Sequence, residues 1–167
     1  MKPTLLIGLA LFLFVGCGRQ EPAPMTTQEQ DLAKKEISEV LDQQLETASK
    51  LDAEALMQSY SDSPDFILLT AVGSMTDYQG AKSGTAEIYK SLTALHFTTV
   101  KNEFRFLPGN IVICAWLGKC DLTFNTGERG TIDSYAITFV FQKLDDHWKI
   151  IYSHESASPA VEESPTM

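Results

Sequence analysis

The chain has few of the residues that most often mark a chemical site. It holds three cysteines and three histidines in 167 residues. No CxxC pair exists, and His96, His147 and His154 are dispersed without HxH or HxxxH spacing. The clustered ligands of a metal centre are therefore missing, and no metal is expected. The chain also lacks a GxSxG nucleophile elbow, a phosphate-cradling glycine loop and a dinucleotide fingerprint, so no cofactor is expected. There is no internal repeat and no run of basic residues. With 13 Lys and Arg against 22 Asp and Glu, the formal charge is −9, which repels polyanions and excludes nucleic acid as a partner. The acidic excess is read as a solubility feature. No apolar run reaches the roughly 20 residues that a membrane-spanning helix needs.

The chain does have a greasy start. Met1, Lys2 and Pro3 precede "TLLIGLALFLFVG", 13 uncharged residues that suit the apolar core of a signal peptide. A lone cysteine, Cys17, then stands before the polar, proline-bearing "GRQEPAPMTTQEQ". Val15, Gly16 and Cys17 resemble the lipobox of bacterial lipoproteins, with Phe14 where that family usually has Leu. The alternatives are an ordinary secretory leader and an uncleaved anchor. The resemblance implies that residues 1–16 are removed and that Cys17 becomes a lipidated N-terminus. Each buried CH₂ of its acyl chains would contribute about 0.8 kcal/mol of membrane affinity. Gly18, where Asp would retain the protein, implies the outer membrane facing the periplasm of the bacterial cell envelope. Residues 17–26, with Pro22 and Pro24, read as a flexible tether. Cys114 and Cys120 lie six apart in one expected strand, about 20 Å at 3.3 Å per residue, and so are expected as buried free thiols.

Residues 27–157 are expected to form one domain. Thr26 and Glu29 have capping-box spacing, and Leu32, Glu36, Val40, Leu41, Leu45, Ala48 and Leu51 follow at helical intervals, predicting a long first helix. Asp52 is a second N-cap before "AEALMQSY", and "DFILLT" reads as a short strand. "AVGSMTDYQGAKSG" reads as a loop or irregular hairpin and "TAEIYKSLTAL" as a third helix. Four strands complete the body: "TTVKNEFRFL", "IVICAWLGKCDLTF", "TIDSYAITFVFQK" and "WKIIYSHESA". Strict alternation puts Val100, Phe104 and Phe106 on one face of the first. In the last it groups Trp148, Ile150, Tyr152, His154 and Ser156. Residues 158–167 read as a disordered tail.

Helices followed by a curved antiparallel sheet make an α+β domain. The ending Trp148-x-Ile150-x-x-x-His154-x-Ser156 resembles the terminal strand of the nuclear transport factor 2-like, or SnoaL-like, superfamily, with a likeness to its calcium/calmodulin-dependent kinase association domains. The resemblance implies a cone-shaped, cystatin-like fold whose open end is a pocket between the sheet and the first helices. Where association-domain relatives carry pocket arginines, this sequence has Gly118 and Thr138, so the likeness does not extend to an anion site of that design.

Within the implied cone, His154 is the candidate proton carrier, because an imidazole titrates near neutrality. The alternative is a structural histidine at a strand end. Asp133 shares a face with Tyr135, Ile137, Phe139 and Phe141, which would place a carboxylate against an apolar wall. The alignment of Thr138 argues the reverse, with Ser134 and Ala136 inside and Asp133 a solvated charge. Tyr60, Phe66, Trp116 and Tyr135 are the candidate ligand-lining residues, and each also suits plain packing. Three functions follow as expectations: binding of a small, largely apolar ligand, proton-transfer catalysis by His154 with Asp133 or Tyr60, and oligomerisation. The last rests on "YAITFVF", apolar on both faces, which a second copy in a homodimer would cover.

Overall fold

The computed structural model describes residues 22–158 and 161–162; Cys17 and the leader lie outside the described residues. Helix α1, Thr27–Ser49, begins where Thr26 accepts the Glu29 amide and the Glu29 carboxylate takes the Thr26 amide at 2.7 Å. Ala33, Ile37, Leu41, Gln44 and Ala48 form its buried stripe, while Leu32 points outward. Asp52 caps the short α2, Ala53–Met57, by accepting the Ala55 amide at 2.9 Å. Strands β1, Ile67–Leu69, and β2, Met75–Thr76, then make a small hairpin.

Helix α3, Tyr78–Lys90, starts seven residues before the expected Thr85 and stops before the expected Leu95. Asp77 caps it, accepting the Gly80 amide at 2.8 Å. A side chain at Gly80 would collide with the Thr76 hydroxyl, so the glycine marks a tight helix start rather than a loop. At the far end, Leu92 and Leu95 belong to β3 because they pair with Phe124 and Leu122.

Four long strands follow: β3, Leu92–Leu107; β4, Ile111–Phe124; β5, Arg129–Leu144; and β6, His147–Ala157. The sheet order is β2-β1-β6-β5-β4-β3, antiparallel except for the parallel β1–β6 pair. Val161 and Glu162, expected in the tail, form β7 against Gly130 and Thr131 of β5. The sheet curls round α1, whose Ala33, Ile37 and Leu41 pack on Val112, Cys114, Trp116, Phe139, Phe141, Trp148 and Ile150. Glu36 pins the helix to the strands by accepting from Trp148 Nε1 at 2.7 Å and Lys143 Nζ at 3.0 Å.

Besides a shift between Leu92 and Ala94 at the start of β3, three register shifts set which side chains face inward. On β3, Val100 is an extra residue between Thr99, opposite Gly118, and Lys101, opposite Leu117. On β5 the step from Tyr135 to Ile132 spans three residues against two on β4. On β6, Ile151 is an extra residue between Ile150 and Tyr152. Each bulge inverts the alternation beyond it.

Candidate functional site

The concave face places a carboxyl among aromatic rings. Beyond the β6 bulge, Ser153 and Glu155 face inward and His154 faces out. Glu155 is half-buried, and desolvation raises its pKa above the ordinary 4.5. The nearby Tyr135 hydroxyl and Ala71 amide favour the ionised form and oppose the rise without cancelling it. Burial also pushes up the hydroxyls of Tyr60, Tyr89 and Tyr135, with the charge of Glu155 adding to each. The site is therefore one carboxyl of raised proton affinity surrounded by three phenols that stay neutral donors.

The same face of the sheet carries a trio of rings on β3, β4 and β5. Phe97 stacks on Tyr135 with centroids 5.8 Å apart, and Trp116 stands edge-on to both at 6.1 and 6.2 Å. Gly118 permits this, because a side chain there would meet the Trp116 ring and the Thr98 carbonyl oxygen. The Trp116 indole N–H donates to Thr99 Oγ1 at 2.9 Å and so fixes the ring. A second aromatic series runs from Tyr60 to Phe66 at 5.6 Å and on to Tyr78 at 6.2 Å. Ser153 is wholly buried, and its hydroxyl has no hydrogen-bond partner among the described residues.

The expected pair of proton carriers is not assembled here. His154 is exposed, paired across the sheet with Thr138 and Leu69. Asp133 is exposed too, bonded to Lys119 at 3.1 Å on the outer face. The Tyr135 face of β5 does point inward and Thr138 outward, but the β5 bulge turns Asp133 away from its expected neighbours. Tyr60, Phe66, Trp116 and Tyr135 do lie on the interior side, as expected of lining residues. Strict alternation missed Glu155 because it counted Ile151 as an ordinary position. Tyr89 was hidden in a helix given the wrong start.

Two surface depressions, of about 310 and 220 Å³, lie elsewhere: one beside His96, Asp121 and Arg129, the other between α1, α2 and Trp148. The β1–β2 turn carries Ala71, whose amide lies near enough to act on the Glu155 carboxyl. The turn itself is closed by hydrogen bonds from the Thr70 amide to the Ser74 carbonyl and from the Gly73 amide to the Thr70 carbonyl, both at 2.9 Å, while Val72 and Met75 are 90% and 70% exposed. Among the described residues, no group of three His, Cys, Asp or Glu side chains converges as metal ligands would. Cys114 and Cys120 are buried free thiols, with desolvation raising their pKa values to about 12 and about 11, so neither is an activated nucleophile.

Comparison with known proteins agrees with this architecture. A candidate scytalone dehydratase from Novosphingobium aromaticivorans superposes with a TM-score of 0.75 at 10% identity, covering 84% of this chain and 94% of that one. A hexachlorocyclohexane dehydrochlorinase from Novosphingobium barchaimii gives 0.72 at 12% identity, covering 84% and 97%. A nuclear transport factor 2-like superfamily protein from Salmonella enterica gives 0.70 at 16% identity, covering 83% and 99%. No curated protein matches the chain. The family model for the SnoaL-like domain matches residues 37–161, from the middle of α1 to β7, and the chain belongs to that family.

Proposed function

We propose that this domain binds a small, largely apolar molecule inside the cone, its polar end held by Glu155 and Tyr135. The observation that carries the reading is the inward-facing Glu155 carboxyl, half-buried near Tyr135 on a sheet face that also carries the Phe97 and Trp116 rings. Such a site has the form of a ligand pocket, apolar lining with few convergent polar groups. Entry requires the Ala71 turn to move aside, and Val72 and Met75 are placed to cover what enters. The test is native mass spectrometry of the protein extracted gently from its host membranes. A retained small molecule, lost in Tyr135→Ala or Glu155→Ala, supports the reading; a molecule retained equally by both variants refutes it.

The raised proton affinity of Glu155 favours a second reading in the same place, proton transfer with Glu155 as the base in place of His154. Dehydratases and dehydrochlorinases stand among the proteins of similar fold. On this reading turnover falls at least about a hundredfold in Glu155→Gln, the usual contribution of a general base, and is unchanged in His154→Ala.

Two further parts of the proposal concern address and assembly. Residues 1–16 would deliver the protein to the cell envelope, with Cys17 carrying the lipid; Cys17→Ala would then release it to the soluble fraction. The outer face of the sheet would be covered by a second copy. Its centre carries Ile113, Ala115, Leu117, Ala136, Thr138 and Val140, and its margin pairs Lys101 and Arg105 with Glu103, and Lys119 with Asp133. Those margin charges nearly cancel, so two copies of an acidic chain meet there without strong repulsion.

A further inference from the structure

We propose that the domain stands end-on on the membrane, with the β3–β4 and β5–β6 turns toward the lipid and the opposite end of the sheet facing away from it. This rests on the reading of Cys17 as the lipidated residue and adds which surface meets the bilayer. Of residues 17–26, expected as a flexible tether, residues 22–26 are part of the fold. The Pro22 ring packs on Gly109 in the β3–β4 turn, its Cγ 3.7 Å from where a Cβ there would stand. Met25 is half-buried against the core that α1 shares with the sheet, and its carbonyl accepts from Gln30 Nε2 at 3.0 Å. Thr26 then closes the capping box. A terminus tied down in this way leaves the domain at a fixed place.

The place is one end of the sheet. The Lys143 amide donates to the Asn110 carbonyl at 3.2 Å, joining the end of β5 to the β3–β4 turn, and Lys143 Nζ reaches Glu36 on α1 at 3.0 Å. The β5–β6 turn at Asp145 and Asp146 belongs to the same end, since Leu144 pairs with His147 there. From Ile111, β4 runs to Phe124 at the other end, about 40 Å away at roughly 3.3 Å per residue. From residue 17 to residue 22 the chain spans at most about 18 Å, whatever its conformation. The two turns are therefore held near the lipid, and the far end cannot approach it first. A flank laid on the bilayer would bring the acidic surface within the roughly 10 Å over which headgroup charges act. With 22 Asp and Glu against 13 Lys and Arg, anionic headgroups repel that flank and favour the upright domain.

The test uses the full lipidated chain, taken from membranes in detergent and returned to vesicles of phosphatidylethanolamine and phosphatidylglycerol that carry an acceptor dye on the headgroups. A donor dye is attached by maleimide to His147→Cys, beside the β5–β6 turn, or to Thr126→Cys, in the far β4–β5 turn; both positions are exposed. Cys114 and Cys120 are buried and Cys17 is acylated on this reading, so the label enters the new cysteine. Energy transfer from residue 147 should exceed that from residue 126 at least about twofold, the two differing by about 40 Å in height. A Gly/Ser insert of about 20 residues between Gly18 and Arg19 adds about 25 Å of r.m.s. reach and should lower transfer from residue 147. Equal transfer from the two positions means a domain lying on its flank and overturns the proposal. Greater transfer from residue 126, or indifference to the insert, also overturns it; the anchor stands in each of these cases. A chain that never enters the vesicles overturns the Cys17 reading and the orientation with it.

Discussion

Gly118→Ala tests whether the aromatic wall is built as described. The added Cβ would stand 2.5 Å from the Thr98 carbonyl oxygen and closer still to Cη2 and Cζ2 of Trp116. The backbone contact cannot rotate away, so the indole and the strand must both shift. Overpacking of this kind costs about 1–3 kcal/mol. Moving the indole also forfeits the Trp116–Thr99 hydrogen bond, about 1 kcal/mol, and loosens the edge contacts to Phe97 and Tyr135, about 0.5–1.5 kcal/mol each. These losses overlap, and a total near 3 kcal/mol is expected. For a domain of this size that lowers Tm by about 10 °C. Urea unfolding of the wild type and variant measures it directly. Gly84→Ala on α3 is the control of opposite sign, because open space surrounds it and alanine in a helix is worth about 0.5–1 kcal/mol over glycine. Combining Gly118→Ala with Trp116→Leu should cost less than the sum of the two, by at least about 1 kcal/mol. A cost below about 0.5 kcal/mol, or strict additivity in the cycle, would refute the placement of the indole over Gly118.

Three other outcomes follow from the same coordinates. The hydrogen bonds from Lys143 and Trp148 hold Glu36 below its ordinary pKa, so its contribution is present above about pH 4.5 and lost as pH falls through the lowered value; Glu36→Gln should cost about 1 kcal/mol at pH 7, with the difference vanishing in acid, read by urea midpoints across pH. Glu155 has the opposite sign: its folded pKa is raised, so stability is fullest below the ordinary 4.5 and declines as pH rises through the folded value, and Glu155→Gln should be more stable than wild type at pH 8 but not at pH 4. Leu117, 39% exposed on the outer face, should give a monomer by sedimentation when replaced by Asp, with ligand retention in the cone unchanged; a wild-type monomer at micromolar concentration would end the dimer proposal.

Local chemistry was legible where a few neighbouring residues decide the outcome. Thr26 with Glu29 and Asp52 with the Ala55 amide mark helix starts that the structure keeps to the residue. The long strands β4, β5 and β6 also lie within two residues of their expected bounds. What failed depends on partners distant in sequence. "SLTAL" has helical spacing, yet Leu92 and Leu95 pair with strand β4 instead. Val100 alternates correctly with Phe104 and Phe106, yet is 60% exposed because the bulge beside it breaks the count. A bulge is a property of two strands in register, and the alternation of one strand carries no sign of it. His154 and Asp133 each lie beyond such a shift and are exposed on the outer face.

The same shifts explain why the site has the composition it does. Without Ile151 as an extra residue, the inward face of β6 would continue from Ile150 to Tyr152 and His154, and Glu155 would be solvated. With it, a carboxylate is carried into an aromatic interior where burial opposes its charge, and a serine hydroxyl is buried without a partner. Both are costs to folding. A core selected for stability alone would have no use for either, since apolar residues at 153 and 155 would remove both penalties while keeping the strand. Tyr135 and the Ala71 amide offset the cost only in part, because the proton affinity of Glu155 stays raised after both are counted. On the binding proposal, a bound molecule recovers part of that cost by supplying the atom that the Ser153 hydroxyl lacks. Stability and binding then compete for the same two positions. Replacing Ser153 with Ala should therefore raise stability in the empty protein and lower affinity for any ligand long enough to reach it.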